Sequence, residues 1–291
     1  MTDDSTSPVT AGRMTVGRDM GGRIELGTEQ HKQIFCRMLL DSHDPYKPAV
    51  IAWPKLDPEA FARLTSLPVW DMAVRVEGEA SMAVRTYAAT IGDPLLHEAV
   101  SLDGAEEARH KLVLSKMVEF YGITLQPEPD YPAPADPELA FLQTGYGECF
   151  DSFFAFGLFE LARRSGFFPP ELVETFEPVI QEECRHILFF VNWRAWHRRQ
   201  LSWFRRVLFD LRCMSIFAGR IKARMATAKG VGGERAFTAT SSKAIKTDIK
   251  VRDLLTLCLA ENDRRMARYD ARLIRPQLVP TLVRIALKFM R

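Results

Sequence analysis

The chain lacks the features that define several common classes of protein. Five of its 291 residues are cysteines and no two of them form a CxxC pair, so neither a disulfide framework nor a cysteine zinc site is predicted. No run of about 18 apolar residues is free of charge, which argues against a membrane-spanning helix. The first residues carry two acids and no apolar stretch, so no secretory signal is indicated. These absences favour a reducing, cytoplasmic compartment.

Strands and nucleotide-binding motifs are also missing. We find no useful alternation of apolar and polar residues, no dinucleotide-binding glycine fingerprint and no phosphate loop. Hydrophobic residues make up 47% of the chain and charged residues 26%, which is ordinary globular usage. The pattern therefore predicts a folded, helical protein, and we expect no nucleic-acid partner.

Charge is distributed unevenly along the chain. Residues 1–191 contain 16 Lys and Arg against 30 Asp and Glu, whereas residues 192–291 contain 23 against 7. The basic C-terminal region can attract the acidic body within one fold, or it can meet an anionic partner. Its last segment, 274–291, mixes apolar and basic residues. We expect this segment to pack within the protein or a homodimer, with peripheral membrane contact as the alternative.

Glycine and proline positions divide the chain into three segments. Residues 1–65 contain scattered glycines and four closely spaced prolines, and they predict an N-terminal arm and irregular segment. Residues 66–199 predict four long helices in two hairpins, and residues 200–291 a basic helical extension. The four helices are expected at about 66–91, 94–121, 138–165 and 169–197. The extension is expected to have helices at 200–228 and 248–273 around a loop at 229–247.

The most specific signal is a repeated carboxylate–histidine motif. Residues 106–110 read EEARH and residues 182–186 read EECRH. Positions i and i+3 share one face of a helix, so each Glu-x-x-His can present a carboxylate and an imidazole side by side. Two such helices facing each other offer two of each group. This donor set suits iron or manganese.

Each hairpin also needs a carboxylate from its first helix, and here alternatives stay open. Glu77 lies closer than Glu79 to the centre of the apolar face of the first helix. Glu148 and Asp151 both lie at a suitable depth in the third helix, whereas Glu160 is too close to the turn. We choose Glu77 and Glu148, and retain Glu79 and Asp151 as alternatives.

The paired motifs resemble those of the ferritin-like di-iron carboxylate superfamily, over about residues 66–195. The resemblance implies an all-α fold, a four-helix bundle here with extra C-terminal helices. It also implies two iron ions, with manganese an alternative at one position. Glu107 and Glu183 would bridge the ions, while Glu106 and Glu182 would hydrogen-bond the opposite histidines. The implied catalytic and metal-binding residues are Glu77, Glu107, His110, Glu148, Glu183 and His186.

The same resemblance implies an oxidase or monooxygenase that uses dioxygen. The phenylalanines at 150–159, with Phe189 and Phe190, suggest an apolar surround and a small apolar or aromatic substrate. The chain has no four-cysteine iron site, so an external electron donor is expected. A ferroxidase or peroxide-reducing protein, or a non-catalytic helical protein on an anionic surface, are the alternatives. The remaining histidines are expected at the surface or in ordinary packing: His31, His43, His97 and His197.

Overall fold

The computed structural model describes residues 24–228 and 250–290, and within these it contains ten α-helices, one short 3-10 helix and no strand. The all-α prediction is therefore confirmed. The helices are α1 (Glu29–Asp41), α2 (Pro58–Thr65), α3 (Trp70–Ala88), α4 (Pro94–Phe120), α5 (Pro137–Ser165), α6 (Pro170–Thr175), α7 (Glu177–Gln200), α8 (Trp203–Ala228), α9 (Val251–Met266) and α10 (Leu278–Phe289), with the 3-10 helix at Pro48–Val50.

The ends of the long helices follow from local sequence. Helices α4 and α5 each begin with a proline that follows an aspartate, Asp93 in α4 and Asp136 in α5. The aspartate carboxylate accepts a hydrogen bond from the backbone N–H three residues later, at 2.9 Å in both helices. Proline needs no hydrogen bond there, and the aspartate satisfies an otherwise free donor. Gly166 ends α5 with a φ of 63°, a left-handed conformation that suits glycine.

Four long helices surround the centre of the protein. α3 packs along α4 and α5, and α5 also packs against α7. The fourth helix was expected to run unbroken from residue 169, but the structure divides it into α6 and α7 at Phe176. Pro178 accounts for the break, because it lacks an N–H and fits only the first turn of a helix.

Residues 1–65 were predicted to form an arm and an irregular segment, so helix α1 was not expected. It packs against both α7 and α4, and its side chains Phe35, Cys36 and Leu39 are fully buried. His31 Nε2 lies 3.0 Å from Asn192 Oδ1 on α7. Residues 29–41 are thus part of the core. The predicted N-terminal arm lies outside the described residues up to residue 23.

The C-terminal helices cover α5. Helix α9 lies against α5, and α10 contacts both of them, burying Val279 and Val283. One face of the last segment therefore packs against the rest of the protein. α9 is shorter than the helix expected at 248–273, and the expected loop at 229–247 lies outside the described residues. No helix in the described ranges has the length and apolarity needed to cross a membrane.

We predict that the contact between α5 and α9 depends on Gly157. A Cβ atom at Gly157 would lie 2.3 Å from Cys258 Sγ and 3.0 Å from the backbone of Cys258, so Gly157→Ala must push the two helices apart. We expect a loss of about 1–3 kcal/mol in the free energy of unfolding, measured by chemical denaturation.

Gly219, which is exposed on α8, is the matched control. A Cβ atom there would meet nothing within 4 Å. Gly219→Ala should therefore raise the free energy of unfolding by about 0.5–1 kcal/mol through helix propensity. Equal stability of Gly157→Ala and the unchanged protein would contradict the close packing of α5 and α9.

Candidate metal centre

Helices α4 and α7 bring the two repeated motifs face to face. The motif on α4 occupies residues 106–110 and that on α7 residues 182–186. One ligand atom from each of four side chains lies within 4.8 Å of all the others. These four are Glu107, His110, Glu183 and His186. The structure thus brings together both Glu-x-x-His pairs, and the group can hold a metal ion.

The outer glutamate of each motif bonds the histidine of the other. Glu182 Oε2 lies 2.8 Å from His110 Nε2, and Glu106 Oε2 lies 2.8 Å from His186 Nε2. This crossed pairing confirms the prediction for Glu106 and Glu182. Because a carboxylate accepts and does not donate, each Nε2 carries the proton and each Nδ1 is left as a potential ligand atom.

The arginines of the motifs complete a pseudo-symmetric network. Arg185 Nη2 donates to Glu106 Oε1 at 2.7 Å, and Arg109 Nη2 donates to Glu182 Oε1. Each outer glutamate therefore accepts from the arginine and the histidine of the opposite motif. Burial would raise the pKa of Glu106, but the His186 hydrogen bond and the Arg185 charge hold it well below its usual range. The buried carboxylate of Glu106 stays ionised in this setting.

The inner atoms of the site face one another without hydrogen bonds. His186 Nδ1 lies 2.8 Å from Glu107 Oε1, and His110 Nδ1 lies 3.1 Å from Glu183 Oε1. Both Nδ1 atoms and Glu107 Oε1 are buried without a hydrogen-bond partner. A buried polar atom without a partner is costly. A cation between these lone pairs would remove that cost, so the residues fit a metal.

Excess negative charge at the site supports the same conclusion. Burial raises the pKa of Glu107 well above its usual range, and the nearby carboxylates of Glu148 and Glu183 raise it further. Burial also raises the pKa of Glu148 well above its usual range, with Asp103 and Glu183 adding to the effect. Such a cluster either takes up protons or binds a cation.

The structure separates the alternatives for the first hairpin. Glu77 Oε2 lies 3.7 Å from His110 Nδ1, whereas the Glu79 side chain is 53% exposed and lies 4.0 Å from Arg75. Glu77 therefore points to the site and Glu79 away from it. The distance of 3.7 Å leaves the role of Glu77 as a ligand a prediction.

On α5, the carboxylate of Glu148 is close enough to Glu107 to raise the pKa of that residue. Asp151, the alternative, is half-buried, and its neighbour Ser152 donates a hydrogen bond to Glu183 Oε2 at 2.8 Å. Glu160 forms ion pairs with Arg163 and Arg164 near the end of α5. Coordination by Glu148 remains a prediction.

Two residues at the site were missed because they follow α1 in a proline-rich stretch. His43, expected at the surface or in ordinary packing, places Nδ1 2.6 Å from Glu106 Oε1. The Tyr46 hydroxyl donates to Glu182 Oε2 at 3.4 Å, and the Arg109 guanidinium lies 4.3 Å from the Tyr46 ring centroid. No periodicity or motif in this stretch indicated that it would reach the outer glutamates.

The phenylalanines predicted as an apolar surround instead pack the helices together. Phe150 and Phe153 cluster with side chains of α9 and α10, and Phe156 clusters with residues of α7 and α9. Phe189 packs against α1, where its ring centroid lies 5.4 Å from that of Phe35. These four side chains therefore do not identify a substrate pocket.

Comparisons of the chain with protein families, curated proteins and solved structures gave no match. The all-helical architecture and the buried group of glutamates and histidines are compatible with a ferritin-like fold. The geometry of the site is therefore the basis for assigning a function.

We predict that each motif histidine is needed for metal binding. His110→Ala and His186→Ala should each lower metal affinity by at least about tenfold, because water is a poor replacement for an imidazole ligand. Elemental analysis of the purified variants measures this directly. His97→Ala is the control on the same helix, since His97 is exposed. Unchanged metal content in both motif variants would contradict the site.

Proposed function

We propose that this protein is a non-haem di-iron oxidase or monooxygenase that uses dioxygen. The observation that carries the proposal is the pair of buried Nδ1 atoms, on His110 and His186, which face inner glutamates without hydrogen bonds. Each is held in place by an outer glutamate from the opposite motif. Two equivalent half-sites favour two metal ions over one.

The residues divide naturally between two ions. His110 with Glu77 would hold one, His186 with Glu148 would hold the other, and Glu107 and Glu183 would lie between them. Oxygen and imidazole donors suit iron, and manganese at one position is compatible with the same set. When bound, the iron supplies the activation of dioxygen.

The side chains around the ligands have distinct tasks. Glu106 and Glu182 hold a proton on each Nε2 and so keep Nδ1 available for the metal. Arg109 and Arg185 each donate to the second carboxylate oxygen of one of these glutamates, and the charge of Arg185 helps to hold the pKa of Glu106 low. His110 and His186 are fully buried, so the protein would exclude water from the imidazole ligands.

Access to the site is proposed from the side of α3. The side chains of Glu77 and Glu183 are 19% and 13% exposed, whereas those of His110 and His186 are 0% exposed. Dioxygen and a small apolar or aromatic substrate would therefore approach past the glutamates. An external donor would supply electrons.

A ferroxidase or peroxide-reducing activity would use the same ligands. The complete burial of both histidines favours ions that stay bound over iron that enters and leaves in each cycle. A non-catalytic helical protein, the third alternative, would have no use for bound iron. Metal analysis and oxygen uptake separate the three.

The test begins with protein produced in iron-replete medium. We expect about two irons per chain, a Mössbauer spectrum of coupled iron ions, and oxygen uptake that a reductant and an apolar or aromatic substrate stimulate. Turnover of added iron alone would support the ferroxidase, and iron-free protein would contradict every di-iron activity. His110→Ala and His186→Ala are the negative controls.

We predict that Glu77 and Glu79 differ sharply in their effect on activity. Glu77→Ala should abolish substrate-dependent oxygen uptake and change the visible spectrum, because it removes a carboxylate directed to the site. Glu79→Ala should leave both nearly unchanged, since that side chain points to solvent. The reverse result would contradict the assignment of Glu77.

A further inference from the structure

Helix α8 presents an apolar stripe to solvent. At 100° per residue, six large side chains fall within one arc of about 140° on this helix. Their exposed fractions lie between 49% and 76%. The six residues are Trp203, Phe204, Val207, Leu208, Leu211 and Met214. The opposite face packs on the core through Phe209 and Cys213, which are buried.

This stripe is not a normal scatter of exposed apolar residues. Single exposed leucines are common on protein surfaces, but a contiguous patch of large apolar side chains marks an interaction site. Trp203 is 76% exposed at one end of the stripe and Met214 is 66% exposed at the other. We therefore expect a binding partner to cover the patch.

Positive charge lies along one border of the stripe and beyond one of its ends. Arg205 is exposed on that border, and Lys222 is exposed further along the helix. Arg212 lies on the same border but forms ion pairs with two carboxylates at the start of α5. Between residues 194 and 222 the chain has eight Lys and Arg and one acid, Asp210. An aromatic and aliphatic face bordered by cations is the signature of a helix that lies in a membrane interface.

A second amphipathic helix belongs to the same part of the protein. α10 buries Val279 and Val283 but exposes four apolar side chains on its other side, and Lys288 lies in its last turn. The exposed four are Leu278, Leu282, Ile285 and Phe289. Phe217 of α8 and Val283 of α10 share one cluster on α5. The C-terminal segment therefore packs on the body and still offers an apolar surface.

Charge complementarity indicates which kind of partner covers the stripe. A symmetric dimer through α8 would cover the apolar stripe with the same helix of a second copy, which is itself rich in arginine and offers no anionic surface. An anionic lipid surface attracts the basic residues of this region and takes up the apolar side chains. The acidic region, residues 1–191, would be repelled from the same surface, which orients the protein with α8 towards the lipid.

We propose that α8 is an interfacial helix that binds an anionic membrane surface through this stripe, with α10 beside it. Apolar side chains supply most of the attraction, and the cations restrict binding to anionic lipid. Binding should weaken as salt rises, because screening acts on the charges, but the apolar contribution should persist.

The test uses the full chain and sedimentation with vesicles of phosphatidylcholine, alone or mixed with phosphatidylglycerol. The unchanged protein should sediment with the mixed vesicles and much less with phosphatidylcholine alone. The double variant Leu211→Glu, Met214→Glu should lower the partition coefficient by about tenfold or more, since it removes apolar contact and adds repulsion. Val50→Glu is the matched control, because Val50 is 76% exposed on a different part of the surface.

Two further measurements make the result decisive. Thermal unfolding and metal content should be unchanged in the double variant, since both side chains are exposed. Failure of the unchanged protein to sediment with phosphatidylglycerol vesicles at low salt would overturn the proposal, as would full binding by the double variant. A dimer in light scattering that becomes a monomer in the double variant would also overturn it, because the stripe would then belong to a second copy.

Discussion

The crossed pairing of the two motifs is the constraint on which the centre of this protein depends. Glu106, Glu182, His110 and His186 are almost completely buried between α4 and α7. Buried charges are tolerated only when they are paired and hydrogen-bonded, and removing one partner typically costs about 3–5 kcal/mol. Each outer glutamate reaches its arginine and histidine partners only when the opposite motif lies at the same height along the facing helix. The pairing therefore sets the register of α4 against α7, and the same register brings the inner glutamates and histidines together.

The surrounding elements protect this pairing. Arg185, which is 1% exposed, also donates to the backbone oxygen of Leu39 at 3.0 Å, so the end of α1 is tied to the charged network. The stretch that follows α1 brings His43 and Tyr46 to the two outer glutamates. The N-terminal part of the described chain is thus a cover for the site. A dry surround strengthens each electrostatic contact within it.

Much of the architecture could be predicted from sequence, because strong local signals define it. Proline and aspartate mark the starts of α4 and α5, and the repeated EExRH motif predicted which side chains of α4 and α7 would meet. Glu77 could be favoured over Glu79 by helical period alone. The contacts of His43 and Tyr46 could not be foreseen, since they depend on the path of an irregular segment. Sequence could not tell which phenylalanines of α5 pack between helices, because that helix is apolar on nearly every side and periodicity cannot then separate a pocket from packing.

We propose that the crossed pairing turns two Nδ1 atoms inward, where they would hold two metal ions. Anomalous diffraction at the iron edge, from crystals of iron-loaded protein, tests it most directly. The account predicts two peaks, one beside His110 Nδ1 and one beside His186 Nδ1, with the outer hydrogen bonds intact. His43, Glu106 and Glu182 form a second group of potential ligands. Iron bound there alone, or no iron beside either Nδ1 atom, would contradict the account.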